Sequence, residues 1–276
     1  MGKVIVITSG KGGVGKTTTS ANLGAALAAL GKSVLLVDGD IGLRNLDVVM
    51  GLENRIVYDI ADVIEGKCRL RQAIIKDKRS DNLYILAASQ TKEKEDITKE
   101  QMKKLICELS ENYDYILIDC PAGIEHGFEN AICAADVAIV IATPEVSSVR
   151  DADKVLGLIE AAEIKHRYVL INRIRPALVR SGNMLSIEDV IEILAVDLIG
   201  ALPDDVDIIV STNKGEPAAL NPKSRVGQAF RNTARRIAGE SVPLMDLFDD
   251  GSLRYKIRSM LKKKKSDGGE HLAHFG

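Results

Sequence analysis

Apolar runs long enough to cross a membrane are missing from this 276-residue sequence: no stretch approaches the roughly 20 residues that a spanning helix needs. Net charge is nearly missing too, at −2 with a pI near 6.1. The chain as a whole therefore has no electrostatic drive toward nucleic acid, and an anionic partner must be met by a local patch. Cysteine is scarce. Cys68, Cys107, Cys120 and Cys133 lie far apart without a CxxC pair, which reads as buried thiols in a reducing cytosol. No charged, cleavable leader opens the chain, because Lys3-Val4-Ile5-Val6-Ile7-Thr8 already reads as a buried strand. No internal repeat or low-complexity stretch precedes the tail, and a cytoplasmic protein is expected.

What is present is a core-forming alternation. Hydrophobic residues make up 46% of the chain, enough for one sizeable domain. Short, continuous apolar runs at 4–8, 34–37, 83–86, 115–119, 137–141, 168–172 and 198–201 predict strands covered on both faces. Helical patterns at 17–30, 99–110, 147–162, 186–194 and 223–237 fall between them. Strand and helix taking turns implies right-handed crossovers and an α/β, doubly wound, mainly parallel sheet flanked by helices, with ligands at the carboxyl ends of strands.

Gly10-Lys11-Gly12-Gly13-Val14-Gly15-Lys16-Thr17 satisfies G-x-x-x-x-G-K-[ST] directly after a strand and directly before a helix. Its glycines let backbone N–H groups face phosphate, and the helix adds its positive N-terminal end. The motif makes ATP and Mg²⁺ the expected ligands, with Lys16 bridging the β- and γ-phosphates and the Thr17 hydroxyl on the metal. Two apolar strands end in acids at the same rim: Val37-Asp38-Gly39-Asp40 and Ile118-Asp119. Carboxylates there are costly without a cation or a polarised water. Taken singly, each also fits an ordinary acid capping the next turn.

A second lysine so early in a phosphate loop is unusual, and by itself it reads as a solvated side chain. Lys11-Gly12-Gly13-Val14-Gly15-Lys16-Thr17-Thr18 resembles the deviant Walker A motif of the MinD/ParA family of P-loop NTPases. The resemblance implies a homodimer that closes around ATP, with Lys11 reaching the partner's phosphates. It makes Lys11, Lys16 and Asp40 the catalytic set, Asp40 orienting the attacking water, while Thr17, Asp38 and Asp119 act through magnesium. Asp40-Ile41-Gly42-Leu43-Arg44-Asn45-Leu46-Asp47, followed by Met50-Gly51-Leu52-Glu53, is similar to the first switch of the septum-placing branch. Asp119-Cys120-Pro121-Ala122-Gly123-Ile124 is similar to the second.

In that family, positions like Asn172, Arg173, Pro203, Asp204 and Asp205 surround the adenine, although an Asn after a strand is by itself most simply a turn former. Glu145 is similar to a residue that touches nucleotide from the opposite subunit, and Asp151 falls where partner contacts cluster.

The chain changes character after residue 240. Residues 1–240 are expected to form the ATPase domain, 241–252 a linker, 253–265 an amphipathic helix and 266–276 a disordered tail. Leu253, Ile257, Met260 and Leu261 share one helical face, while Arg254, Lys256, Arg258 and Lys262 to Lys265 supply charge. Such a helix lies in the interface of an anionic membrane, and the family ends in one. Partial immersion of four apolar side chains gives on the order of 4–8 kcal/mol, about what ordering a dozen residues costs. One copy is thus marginal, and a dimer presents two.

The resemblance implies a slow, partner-activated ATPase, peripheral on the inner membrane, that regulates septum placement. The implied partners are anionic lipid and the septum-inhibitor and topological regulators of the Min system, MinC, MinE or an equivalent, with no specific nucleic acid. The alternative from another class is a ParA-type DNA-binding partition ATPase; no basic stripe on a folded helix is expected, and the net charge opposes nonspecific DNA binding. A flagellar-placement relative fits the 40–52 wording less well. An iron–sulfur reductase would need glycine-rich surroundings that Cys120 and Cys133 lack.

Overall fold

Every apolar run predicted as a strand becomes one, and their carboxyl ends line up along one rim. The strands are β1 (Lys3–Thr8), β2 (Val34–Asp38), β3 (Ile74–Lys76), β4 (Leu83–Leu86), β5 (Tyr115–Asp119), β6 (Val137–Ala142), β7 (His166–Ile174) and β8 (Asp197–Pro203). They form one sheet in the order β3-β4-β2-β5-β1-β6-β7-β8. All neighbours are parallel except β3 and β4. The computed structural model describes residues 1–248 except 122 and 125. Met1–Leu244 forms one compact unit; the expected amphipathic helix at 253–265 and the tail at 266–276 lie outside the described residues.

Burial explains the pattern. In β1, β2, β5 and β6 nearly every side chain is inaccessible, as strands covered on both faces require. The first long helix, Lys16–Ala29, is buried around most of its circumference, between the sheet and the helix Arg225–Ile237. The five predicted helices start and stop within two residues of expectation, with side-chain caps from Thr98, Ser186 and Ser224 fixing three of the starts.

Some elements were not expected. β3 has three residues, too few to show a period, and pairs antiparallel at the sheet edge. The helix Val206–Asn213 buries none of its residues, leaving Val206 70% and Ile209 64% exposed, so no core-facing stripe marks it. Of the cysteines only Cys120 is buried, whereas Cys68 and Cys133 are half-buried. Cys107 is exposed, because its helix turns Met102, Leu105, Ile106 and Leu109 inward instead. A run of basic residues does form on a folded helix: Arg225, Arg231, Arg235 and Arg236 lie on Arg225–Ile237 with no acid between them. Arg231 and Arg236 turn inward to backbone carbonyls, including Ala219 O at 2.8 Å and Ile199 O of β8 at 3.0 Å.

One arginine ties distant segments together. The Arg79 guanidinium donates to Met50 O at 2.7 Å and to Gly215 O, while buried Asp77 accepts from its Nε and Nη2 at 3.0 and 2.5 Å. Both carbonyls lie at the negative ends of short helices, where a cation is favoured. The tie connects the segment after Asp40 with the helix Val206–Asn213.

Candidate functional site

Three adjacent strands deliver the chemistry. β1 runs into the loop at residues 9–15, β2 ends at Asp38 and β5 ends at Asp119, with Asp38 and Asp119 directly paired in register. Gly15 adopts φ 102°, a conformation that favours glycine, and a Cβ there would stand 2.5 Å from Asn172 Nδ2. No side chain caps the helix that follows and no acid occupies its first turn, so the N–H groups at its start face the loop unopposed. Gly10 likewise has no room for a side chain, since a Cβ would press into the backbone of Asp151 on the helix Val146–Ala161.

Within one loop the two lysines part company. Lys16 is buried, and its Nζ donates to Ser9 Oγ at 3.0 Å; Lys11, Gly12 and Gly13 are exposed and Val14 is buried. Burial pulls the Lys16 pKa down, opposed by the fields of Asp119, Cys120 and Asp40.

The carboxylates are equally constrained. Asp38 Oδ1 accepts from Asp40 N, and Oδ2 accepts from Asn45 N and Leu46 N, each at 3.0 Å. It therefore closes the loop carrying Asp40 and starts the short helix Leu46–Val49. Asp119 accepts from Ser20 Oγ at 3.0 Å and from the Thr17 hydroxyl. Burial pushes both carboxyls well above the ordinary carboxylate range, and their mutual repulsion adds to it for Asp119. Asp40 is half-buried at the mouth. Desolvation holds the neighbouring Cys120 thiol up at about 12, so it stays protonated.

A cavity of about 240 Å³ opens beside the loop, bordered by Gly15 and Thr18 and walled by Asn172, Arg173, Pro203, Asp204 and Asp205. The structure thus brings together all five residues expected around a base. Asn172 Nδ2 donates to Val14 O at 2.8 Å, fastening β7 to the loop; Asp205 instead caps the helix Val206–Asn213 by accepting from Asp207 N at 2.9 Å. Glu145 is exposed at the start of the helix Val146–Ala161, on the sheet's carboxyl side but away from this cavity.

Sequence reasoning missed several neighbours. Ser9 and Ser20 flank the motif, and their positions one residue before it and one turn into its helix were the available signal. Arg175, which meets Asp204 at 2.5 Å, and Phe230, from the distant helix Arg225–Ile237, also line the cavity; nothing local in the sequence marks them.

The residues fit a nucleotide with a hard cation. An uncapped helix start and a buried lysine match phosphate, and two carboxylates with a hydroxyl match an ion that keeps waters and phosphates in its shell.

Comparison with known proteins agrees. A family model described as AAA domain matches residues 2–171. The septum site-determining protein MinD of Bacillus subtilis is 55% identical over 262 residues, covering 94% of this chain and 98% of that protein. The solved MinC:MinD cell division protein complex of Aquifex aeolicus superimposes with a TM-score of 0.83 at 52% identity, covering 88% of this chain and 98% of that one. MinD of Pyrococcus horikoshii, solved in complex with Mg-ADP, gives 0.78 at 33% identity, covering 86% and 96%. With relatives this similar over nearly its whole length, the chain belongs to the MinD family of septum site-determining P-loop ATPases.

Proposed function

We propose that this chain hydrolyses ATP slowly as a homodimer formed on ATP, and that the dimer attaches to anionic inner-membrane lipid through residues 253–265. In this reading hydrolysis releases the protein from the membrane, and the cycle positions the septum together with a MinC-type inhibitor and a MinE-type or equivalent regulator. The observation that carries the reading is the division between the two loop lysines. Lys16, buried at the strand ends, answers the chain's own β- and γ-phosphates, whereas exposed Lys11 is free to compensate charge on the phosphates of a second copy, as an arginine finger does.

The remaining roles follow from position. Thr17, Asp119 and Asp38 would hold Mg²⁺ and its waters, which when bound supplies charge compensation for the phosphates. Asp40 stands at the mouth, linked to Asp38 through its own N–H, and accepts a hydrogen bond from the attacking water. As the water oxygen bonds to the γ-phosphorus, the bond to the β–γ bridging oxygen breaks and ADP leaves. The cavity beside Thr18 takes the adenine, with Asn172 and Arg173 at its edge and Asp204 and Asp205 opposite. Glu145 and Asp151, on the helix that touches Gly10, face the partner copy. MinC bound to the Aquifex relative and Mg-ADP bound to the Pyrococcus relative support the partner and ligand assignments. Among the described residues no helix is long and apolar enough to cross a membrane, in keeping with peripheral attachment.

The paired acids give a pH test. A carboxyl whose pKa is raised by folding binds more protons in the native than in the unfolded chain, so nucleotide-free stability falls as pH rises from about 4 toward neutrality. Asp119→Asn removes one charge of the pair. Its melting temperature is expected to fall less than that of the unsubstituted chain between about pH 5.5 and about pH 7.5; superimposable profiles contradict the reading of the pair.

Phosphate release tests the roles. Lys11→Ala loses both ATP-dependent dimerisation and stimulated hydrolysis, whereas Asp40→Ala keeps the dimer and loses about 10²-fold or more in kcat. Normal hydrolysis by both variants refutes the assignments.

Cosedimentation with acidic liposomes tests attachment. The full chain pellets with ATP and not with ADP, and a chain ending at residue 250 pellets with neither. Equal pelleting in both nucleotides refutes the membrane switch, and ATP-dependent retention on plain DNA in place of lipid makes the partition reading the correct one.

A further inference from the structure

Ser9, which leads β1 into the loop, is wholly inaccessible, and its hydroxyl is engaged twice. It accepts from Lys16 Nζ at 3.0 Å and donates to Lys11 O at 2.8 Å. The directions are fixed, because an ammonium can only donate and a hydroxyl has a single proton. Ser9 is also the only hydrogen-bond acceptor that Lys16 meets among the described residues; Asp119 and Asp40 act on the ammonium through their fields. One buried hydroxyl thus joins the side chain of one loop lysine to the backbone of the other.

We infer that Ser9 is a positioning residue that holds Lys16 and the Lys11 peptide in the nucleotide-free arrangement and competes with phosphate for Lys16. This rests on the nucleotide reading above. Lys16 must turn from Ser9 to reach a phosphate oxygen, so the Ser9 bond stabilises the free state against the bound one. A charge at one end of a hydrogen-bonded chain strengthens the next bond along it. While Lys16 rests on Ser9, the polarised hydroxyl grips Lys11 O more firmly, and capture of Lys16 by phosphate loosens that grip. Occupancy of the loop is in this way passed to the segment that carries Lys11.

The competition predicts an unusual sign. Removing a group that binds phosphate weakens nucleotide binding, but removing a group that competes with phosphate tightens it, because the buried ammonium is then without an acceptor until an anion arrives.

The test is calorimetric titration of the full chain with ADP in the absence of divalent metal. Ser9→Ala is expected to bind ADP about tenfold more tightly, the scale of one hydrogen bond to a buried charge, and to melt at a lower temperature without nucleotide. Ser9→Thr, which keeps the hydroxyl, restores an affinity near that of the unsubstituted chain. Ser9→Cys, with a weaker acceptor, shifts in the same direction as Ser9→Ala and serves if that variant proves too unstable to isolate. A double-mutant cycle on the nucleotide-free melting temperature separates positioning from packing: Ser9→Ala lowers it more when Lys16 is present than in a Lys16→Met background, where only the bond to Lys11 O is lost. Unchanged or weaker ADP binding, or an equal loss of melting temperature in both backgrounds, overturns the inference. Failure of the unsubstituted chain to bind ADP overturns the nucleotide reading itself.

Discussion

An ammonium kept out of water beside carboxylates kept out of water is the constraint around which this molecule is organised. Removing either charge from solvent is costly, and the strain is visible from both sides: the acidity of Lys16 is raised by burial while that of Asp38 and Asp119 is lowered. Within the chain the compensation is indirect. Lys16 hydrogen-bonds to a neutral hydroxyl, and Asp38 and Asp119 accept from backbone amides and hydroxyls. In the proposed reading a polyanion and a divalent cation would supply what is lacking on each side, and filling the site would complete an electrostatic arrangement that the fold leaves open. Ligand binding to a native state of this kind also stabilises it by mass action.

The sheet order produces this arrangement. β1 lies between β5 and β6, with β2 on the far side of β5, so the loop after β1 and the acids ending β2 and β5 share one rim. Register then sets Asp38 against Asp119. From this centre, contacts lead outward in two directions. Asp38 holds the start of the helix Leu46–Val49, whose last carbonyl region is gripped by Arg79, and Arg79 also grips Gly215 beyond the helix Val206–Asn213. Asn172 fastens the wall of the 240 Å³ cavity to the loop through Val14 O. The glycine-rich loop and the cavity beside it are therefore parts of one hydrogen-bonded framework.

Much of this was legible in the sequence because the governing signals are local. Short, β-branched apolar runs bounded by turn residues mark strands buried on both faces, and an eight-residue motif between a strand and a helix marks the loop where phosphate is expected. The acids were legible because they stand at the last positions of such strands. What the sequence withheld is of another kind. Phe230 reaches the cavity from a helix far along the chain, Arg79 joins segments that no periodicity connects, and β3 is too short to carry a pattern. Cys107 was misjudged because membership of a helix does not say which face a residue occupies; the stripe of Met102, Leu105, Ile106 and Leu109 decides that. The grip of Ser9 on Lys16 depends on how the loop folds back on itself, a matter of three-dimensional closure and not of spacing.

If Lys11 belongs to a partner's phosphates, charge compensation is complete only when two copies meet. Light scattering on the full chain, saturated with Mg²⁺ and a nonhydrolysable ATP analogue, reads this directly. A mass of twice 29.9 kDa that returns to the single-chain value in ADP is the predicted result. A single-chain mass in both nucleotides would show that each copy completes its site alone, and the shared arrangement of charges would be wrong.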